Sequence, residues 1–140
     1  MLQKNRAGVS ILIILIFVVI FGLLIGGGFL LINSEKAKTR DAKRLSDMTR
    51  IQAAFEFLYN DTASYEGAAL GGCGQPGMLV SQCNLTQYLP TLAEFIDPGT
   101  YSYTVQKAPD SEGYAVSFML EKNYGSLRAG PHTLSPEGIF

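Results

Sequence analysis

The chain has no tryptophan, one histidine and two cysteines among its 140 residues. A Ser-His-Asp or Cys-His catalytic arrangement would depend wholly on His132, which lies in a Gly- and Pro-rich tail. Two cysteines and one distant histidine cannot complete the four ligands of a zinc site. The Gly clusters at 26–28 and 71–74 lack the Lys-Ser/Thr ending of a phosphate loop. We therefore expect a protein that is not an enzyme.

Acidic residues are the remaining candidates for binding a metal, but they lack the spacing of an EF-hand. We expect no cofactor, and calcium is the one ion that we consider for them. These candidates are Asp97, Asp110, Glu112 and Glu121. Residues 51–140 carry three basic and nine acidic side chains, a formal charge of −6, which argues against a broad nucleic-acid-binding surface.

Charge is absent from residues 9–32, where 19 of 24 residues are Leu, Ile, Val or Phe. As a helix this run would be roughly 36 Å long, which exceeds the ~30 Å hydrocarbon core of a bilayer. A secretory signal has a shorter apolar core and a small-residue cleavage site behind it. The sequence therefore predicts a retained transmembrane helix, preceded by a short basic leader at residues 1–8.

Two signals in the sequence disagree about the orientation of this helix in the membrane. Counting Lys and Arg on each flank would place the carboxyl side in the cytoplasm. However, Cys73 and Cys83 lie in a Gly- and Pro-rich loop, and such a pair in a small domain predicts a disulfide and an oxidising compartment. Two unpaired thiols are the alternative. We expect an extracytoplasmic domain.

Glycine and proline are absent from residues 34–61, where apolar residues recur at three- and four-residue steps. This pattern predicts one helix over about residues 9–59, with an amphipathic second half at 33–60. The pairs Asp41–Arg44 and Asp47–Arg50 are expected on its solvent-facing side. The predicted apolar stripe consists of Ala37, Leu45, Met48, Ile51, Phe55 and Leu58.

Residues 61–140 predict a small globular head. Alternating patterns at 101–105 and 114–120, joined by the turn 109–113, predict an antiparallel hairpin, and 126–130 is the candidate third strand. One or two helical turns are expected within 85–96. A sheet of three or four strands with one apolar face suits a helix with one apolar stripe. The expected fold class is α+β, with a long N-terminal helix packed on a C-terminal antiparallel sheet.

Residues 1–50 carry eight basic and three acidic side chains, a formal charge of +5. The basic stem, residues 36–50, would contact anionic lipid headgroups or an acidic surface of a neighbouring copy. A solvated helix face is the alternative, because exposed charge pairs contribute little.

The basic leader ending in Gly8, the uncharged helix and the segment "KAKTRDAKRLSDMTRIQAAFEFLYNDTASYE" resemble the type IV pilins and type II secretion pseudopilins. The resemblance covers roughly residues 4–66. It implies cleavage by a prepilin peptidase between Gly8 and Val9 and methylation of the new amino terminus. It also implies that the helix leaves the membrane to form the core of a filament.

Two positions depart from the family pattern. Val9 stands where the family usually has Phe, and Ile13 stands where it has Glu. The absence of this glutamate is shared by minor, tip-forming members. Gly22 and Gly26, Gly27 and Gly28 lie in the part of the helix that melts in assembled filaments of the family, while in a plain membrane helix such glycines aid close packing.

The resemblance implies a major or minor subunit of a type IV pilus-like or secretion filament, which polymerises through helix residues that include Phe17 and Phe21. The implied partners are further copies, other pilin-like subunits, a prepilin peptidase, an assembly platform with its ATPase, and membrane lipid before assembly. The implied location is the bacterial cytoplasmic membrane and then a surface or envelope-spanning filament. The alternatives are a monomeric, membrane-anchored binding domain and an anchored hydrolase that uses His132.

Overall fold

The computed structural model describes residues 11–140, without the side chains of residues 26–31. The described elements are helix α1 (Ile11–Thr62), the short helix α2 (Glu66–Ala69) and strands β1 (Thr104–Lys107), β2 (Ala115–Leu120), β3 (Gly130–Ser135) and β4 (Gly138–Ile139). The chain divides into two compact units between Lys36 and Ala37. The α+β class, the long N-terminal helix and the antiparallel sheet are thereby confirmed.

Helix α1 ends three residues later than the pattern predicted. Ala63 follows it with a positive φ of 55°, a left-handed conformation that a helix cannot continue. The Ala63 N–H donates to the Tyr59 carbonyl at 2.7 Å, and the Thr62 hydroxyl donates to the carbonyls of Leu58 and Ser64, both at 2.8 Å. These bonds satisfy the last turn and direct the chain into α2.

The sheet has the order β1-β2-β3-β4, with antiparallel neighbours throughout. The predicted hairpin is β1 and β2, and Asp110 shapes its turn because its Oδ1 accepts the N–H groups of Glu112 and Gly113, each at 2.8 Å. Strand β2 alternates buried and half-buried residues, as expected for a sheet with one face on a core.

The bounds of two predicted strands were wrong. The third strand is not 126–130: β3 begins only at Gly130, and the preceding loop is held by Asn123, whose Oδ1 accepts the Ala129 N–H. Strand β1 begins at Thr104 rather than at residue 101, because the Tyr103 carbonyl accepts the N–H of Val80, in a loop segment. Alternation in the sequence does not reveal which backbone supplies the partner.

The core of the 37–140 unit lies between the second half of α1 and the sheet. Met48, Ile51 and Phe55 are fully buried, and the Phe55 ring stacks on Tyr114 with centroids 3.8 Å apart. Buried side chains of this kind each contribute roughly 1.5–3 kcal/mol. The predicted stripe is thus confirmed at most of its positions, and Leu45 is half-buried against the same core.

A long connection between α2 and β1 packs over the core with little regular structure. It contains 3-10 turns at Val80–Gln82 and Leu92–Glu94. The second of these lies within the predicted helical segment 85–96 and begins after Pro90, which cannot donate within a longer helix.

Candidate functional site

The first candidate is the apolar surface of α1 in the first unit. Every side chain from Ile11 to Ile25 other than Gly22 is a large apolar group, and all are exposed, from 46% at Ile13 to 82% at Ile11. The predicted filament-core residues Phe17 and Phe21 are 59% and 61% exposed. Soluble proteins rarely expose an apolar surface of this extent unless it is an interaction surface.

The glycines and the processing site are described only in part. A Cβ added at Gly22 would meet nothing within 4 Å. Gly26, Gly27 and Gly28 belong to α1, but their surroundings lie outside the described residues, as do Gly8 and Val9 altogether. In the part of the chain that the structure describes, no helix combines the length and the apolar character that crossing a membrane requires.

The second candidate is a buried ion cluster around Arg44. Its guanidinium binds Asp97 through two bonds, from Nε to Oδ2 at 2.6 Å and from Nη2 to Oδ1 at 2.9 Å. Its Nη1 donates to Asp41 and to Glu121, both at 2.7 Å. Glu121 also accepts two bonds from Arg40. The side chains of Arg44, Asp41 and Asp97 are fully buried, so the cluster joins α1 to two distant parts of the head.

The cluster favours the ionised forms of Glu121, Asp97 and Arg44. Hydrogen bonds from Arg40, opposed by burial and aided by Arg44, lower the pKa of Glu121 to about 2. Burial acts to raise the pKa of Asp97, but hydrogen bonds from Arg44 and the Gly99 N–H outweigh it, and this pKa is lowered. The hydrogen bond from Arg44 to Asp97 is the main cause that raises the pKa of Arg44.

The sequence prediction was wrong for Asp41, Arg44 and Asp47, whereas Arg50 is exposed as expected. Asp41 and Arg44 were expected on the solvent-facing side of α1, whereas both are 0% exposed, and Asp47 is 6% exposed. A signal for this was present, because the buried stripe continues through Asp41 and Arg44 at steps of three and four residues. The full stripe is Ala37, Asp41, Arg44, Met48, Ile51, Phe55 and Leu58.

The same contacts revise the expectation for the basic stem. Arg40, Arg44 and Lys43 each pair with a carboxylate of their own unit, and Lys43 reaches Asp47 at 2.6 Å. The Tyr103 hydroxyl also donates to Asp47, at 2.9 Å. Much of the stem's positive charge is therefore neutralised inside the head rather than presented to solvent, lipid or a neighbour.

Cys73 and Cys83 form a disulfide with Cα atoms 4.8 Å apart, and both residues are buried. The bridge holds the loop after α2 against the turn at Val80–Gln82. Gly71 lies so close to Asn84, two residues after this turn, that a Cβ at position 71 would be 2.6 Å from the Asn84 nitrogen, so only glycine fits without a shift of the backbone.

His132 lies on β3 rather than in a loop. It faces Phe118 across the sheet, and its Nε2 is 2.7 Å from the Arg128 carbonyl. Its ring centroid is 5.7 Å from that of Phe118. No serine, cysteine or carboxylate is among these contacts.

The acidic residues considered for calcium do not converge. Asp97 and Glu121 are bound by arginines, and Asp110 pairs with Lys107 at 3.0 Å. Among residues 11–140 as described, no three His, Cys, Asp or Glu side chains are placed to hold one metal ion.

Comparison with known proteins gave no match, whether with family models, with curated proteins or with solved structures. The function must therefore be inferred from two structural features. These are the exposed apolar side chains of Ile11–Ile25 and the 37–140 unit, which has its own hydrophobic core.

Proposed function

We propose that this chain is a structural subunit of a bacterial filament of the type IV pilus or type II secretion kind. It polymerises through its N-terminal helix and is not an enzyme. The observation that supports this most strongly is the exposed apolar surface of Ile11–Ile25, in a chain whose 37–140 unit has a hydrophobic core of its own.

The exposed apolar side chains of Ile11–Ile25 lie on every side of the helix, so covering them requires contacts all around it. Burying its fourteen exposed apolar side chains would contribute on the order of 10–20 kcal/mol before entropic costs. A single groove covers one face of a helix, whereas lipid or a bundle of like helices surrounds it. The apolar run at 9–32 suits lipid before assembly and the helices of other copies afterwards.

The head supports a location outside the cytoplasm. A disulfide in a small domain persists in an oxidising compartment. The proposed course is insertion in the cytoplasmic membrane with the head outside, cleavage between Gly8 and Val9 by a prepilin peptidase, and incorporation into the filament by an assembly platform and its ATPase. Ile13 leaves the helix without the family's glutamate and favours a minor subunit.

Imaging of surface filaments from cells with and without the gene tests the proposal, with tagged protein to locate the subunit at the shaft, base or tip. We expect filaments to lose this subunit, or to be absent, in the deletion strain. Filaments that never contain the protein would contradict the proposal and favour the monomeric anchored binding domain.

The mass of the protein purified from cells provides an independent test. A mature chain that starts at Val9, with or without a methyl group, agrees with the processing pathway. A chain that retains residues 1–8 would contradict the processing pathway.

The variant His132→Ala tests the hydrolase alternative, because a filament subunit should assemble normally with this change.

A further inference from the structure

Residues 77–80, here called the covering segment, lie along the edge of β1 that faces away from β2. Val105 of β1 donates its N–H to the Met78 carbonyl at 2.8 Å and accepts the Gly77 N–H at 2.7 Å. The Val80 N–H, at the other end of the segment, donates to the carbonyl just before β1 at 3.0 Å. The covering segment therefore occupies the backbone groups that an edge strand would otherwise present to solvent.

The side chains of this region contribute little to holding it in place. Residues 74–79 are all exposed, and Met78 and Leu79 are 36% and 42% exposed. Fixing the backbone of one residue costs as much free energy as one exposed hydrogen bond returns, or more. The three backbone bonds to the β1 edge therefore do not hold six exposed residues by themselves, and the covering segment depends on its attachments at either end.

The Cys73–Cys83 bridge encloses the whole covering segment and attaches both of its ends. On the Cys83 side the chain is also held by Val80, which is fully buried. On the Cys73 side a glycine stands before and after the cysteine, at positions 72 and 74. Glycine has the largest backbone freedom to lose on ordering, so the bridge is the main attachment of this side.

We propose that the Cys73–Cys83 bridge is a redox latch for the edge of β1. With the bridge closed, the covering segment binds both backbone groups of Val105. With two thiols in its place, Gly77 and Met78 leave β1, and the N–H and carbonyl of Val105 face solvent.

The latch closes by thiol–disulfide exchange. The thiols of Cys73 and Cys83 give up two protons and two electrons to the disulfide of an oxidant, which leaves as a dithiol, and a dithiol reductant reverses the step. An edge strand with unpaired N–H and carbonyl groups pairs readily with other chains. Oxidation of the head would therefore end its exposure to association through the β1 edge.

Amide hydrogen exchange of the full-length, ¹⁵N-labelled chain in detergent, followed by NMR, tests the latch. In the Cys73→Ser, Cys83→Ser double variant, we expect the protection factors of the Gly77 and Val105 amides to fall to about 10 or less, while the amides of β2 stay above about 1,000. The amides of β2 report whether the head is still folded, because β2 lies between β1 and β3 in both states.

The wild-type chain treated with dithiothreitol is a second sample for the same measurement. Both cysteines are buried, so the reductant is applied until the mass of the intact chain has risen by two hydrogens. Its exchange pattern should then match that of the double variant. The matched control is the double variant with dithiothreitol, whose exchange should not change.

Two results would overturn the latch. Protection of Gly77 and Val105 that is the same with and without the bridge would show that the covering segment holds itself on β1. Loss of protection in β2 as complete as at Val105 would show that the bridge holds the whole head and not this edge. Either result concerns the head alone and leaves the filament proposal standing.

Discussion

The two halves of α1 differ in how their apolar side chains are buried. From Ile11 to Ile25 every large side chain is apolar and exposed, whereas from Ala37 to Leu58 a single stripe is buried against the unit's own sheet. An amphipathic helix can be satisfied by one partner in its own chain, but a helix that is apolar all round cannot. The difference indicates that the second half stabilises the fold, and under the proposed function the first half packs against other molecules.

A matched pair of Phe→Ala substitutions tests this difference most strongly. Phe55→Ala should destabilise the head by about 3–5 kcal/mol, because it leaves a cavity under Tyr114. Phe17→Ala should change the unfolding of the head by less than about 0.5 kcal/mol and lower assembly instead. Urea unfolding of the full-length chain in detergent, followed by near-UV circular dichroism of the tyrosines, measures both. Equal effects of the two changes would contradict the division of roles.

The Arg44 cluster gives the next largest expected effect. Arg44→Met leaves Asp41 and Asp97 buried without their cation and should cost about 3–5 kcal/mol of unfolding free energy in the same urea experiment. Arg128→Met, at an exposed site, is the control and should cost less than about 0.5 kcal/mol. If Arg44→Met were as mild as its control, the cluster would not hold the head together.

The disulfide should contribute less. The Cys73→Ser, Cys83→Ser double variant should lose about 2–3 kcal/mol, because the bridge restricts a short loop in the unfolded chain. Thermal unfolding under oxidising and reducing conditions measures this loss, and the double variant should not respond to the reductant. A wild-type head that is equally stable in both conditions would count against the bridge as a stabilising element.

The pH dependence is the smallest effect and follows from the lowered pKa values of Glu121 and Asp97. A carboxyl whose folded pKa lies below its unfolded value stabilises the fold above the unfolded value, near pH 4.5 for Glu121, and loses this contribution as pH falls toward the folded pKa of about 2. Urea midpoints from pH 6 to 2 should therefore fall across that window. Glu121→Gln should flatten the decline, and an unchanged slope would contradict the assignment.

Much of the fold could be predicted from local pattern. The helix, its buried stripe and the β1–β2 hairpin follow from periodicity and turn residues. The limits of β1 and β3 could not be predicted, because they depend on which distant backbone supplies hydrogen bonds, as Val80 does for Tyr103.

The burial of Arg44 shows where sequence reasoning failed for a different reason. Charged residues are rarely fully buried unless they are paired, and the partners Asp97 and Glu121 lie 53 and 77 residues away. A pair at i,i+3 looks the same on a solvated face as in a buried cluster. The one signal in the sequence for the burial of Asp41 and Arg44 is that they continue the spacing of the apolar stripe.

Photo-crosslinking from position 17 in intact cells tests the central claim most directly. A benzophenone amino acid in place of Phe17 should give adducts between the N-terminal helices of two copies in sheared surface fractions. A probe in place of Phe55, in the head's own core, should give adducts only within one chain. Adducts from position 17 to lipid or to unrelated membrane proteins alone would contradict assembly through this helix.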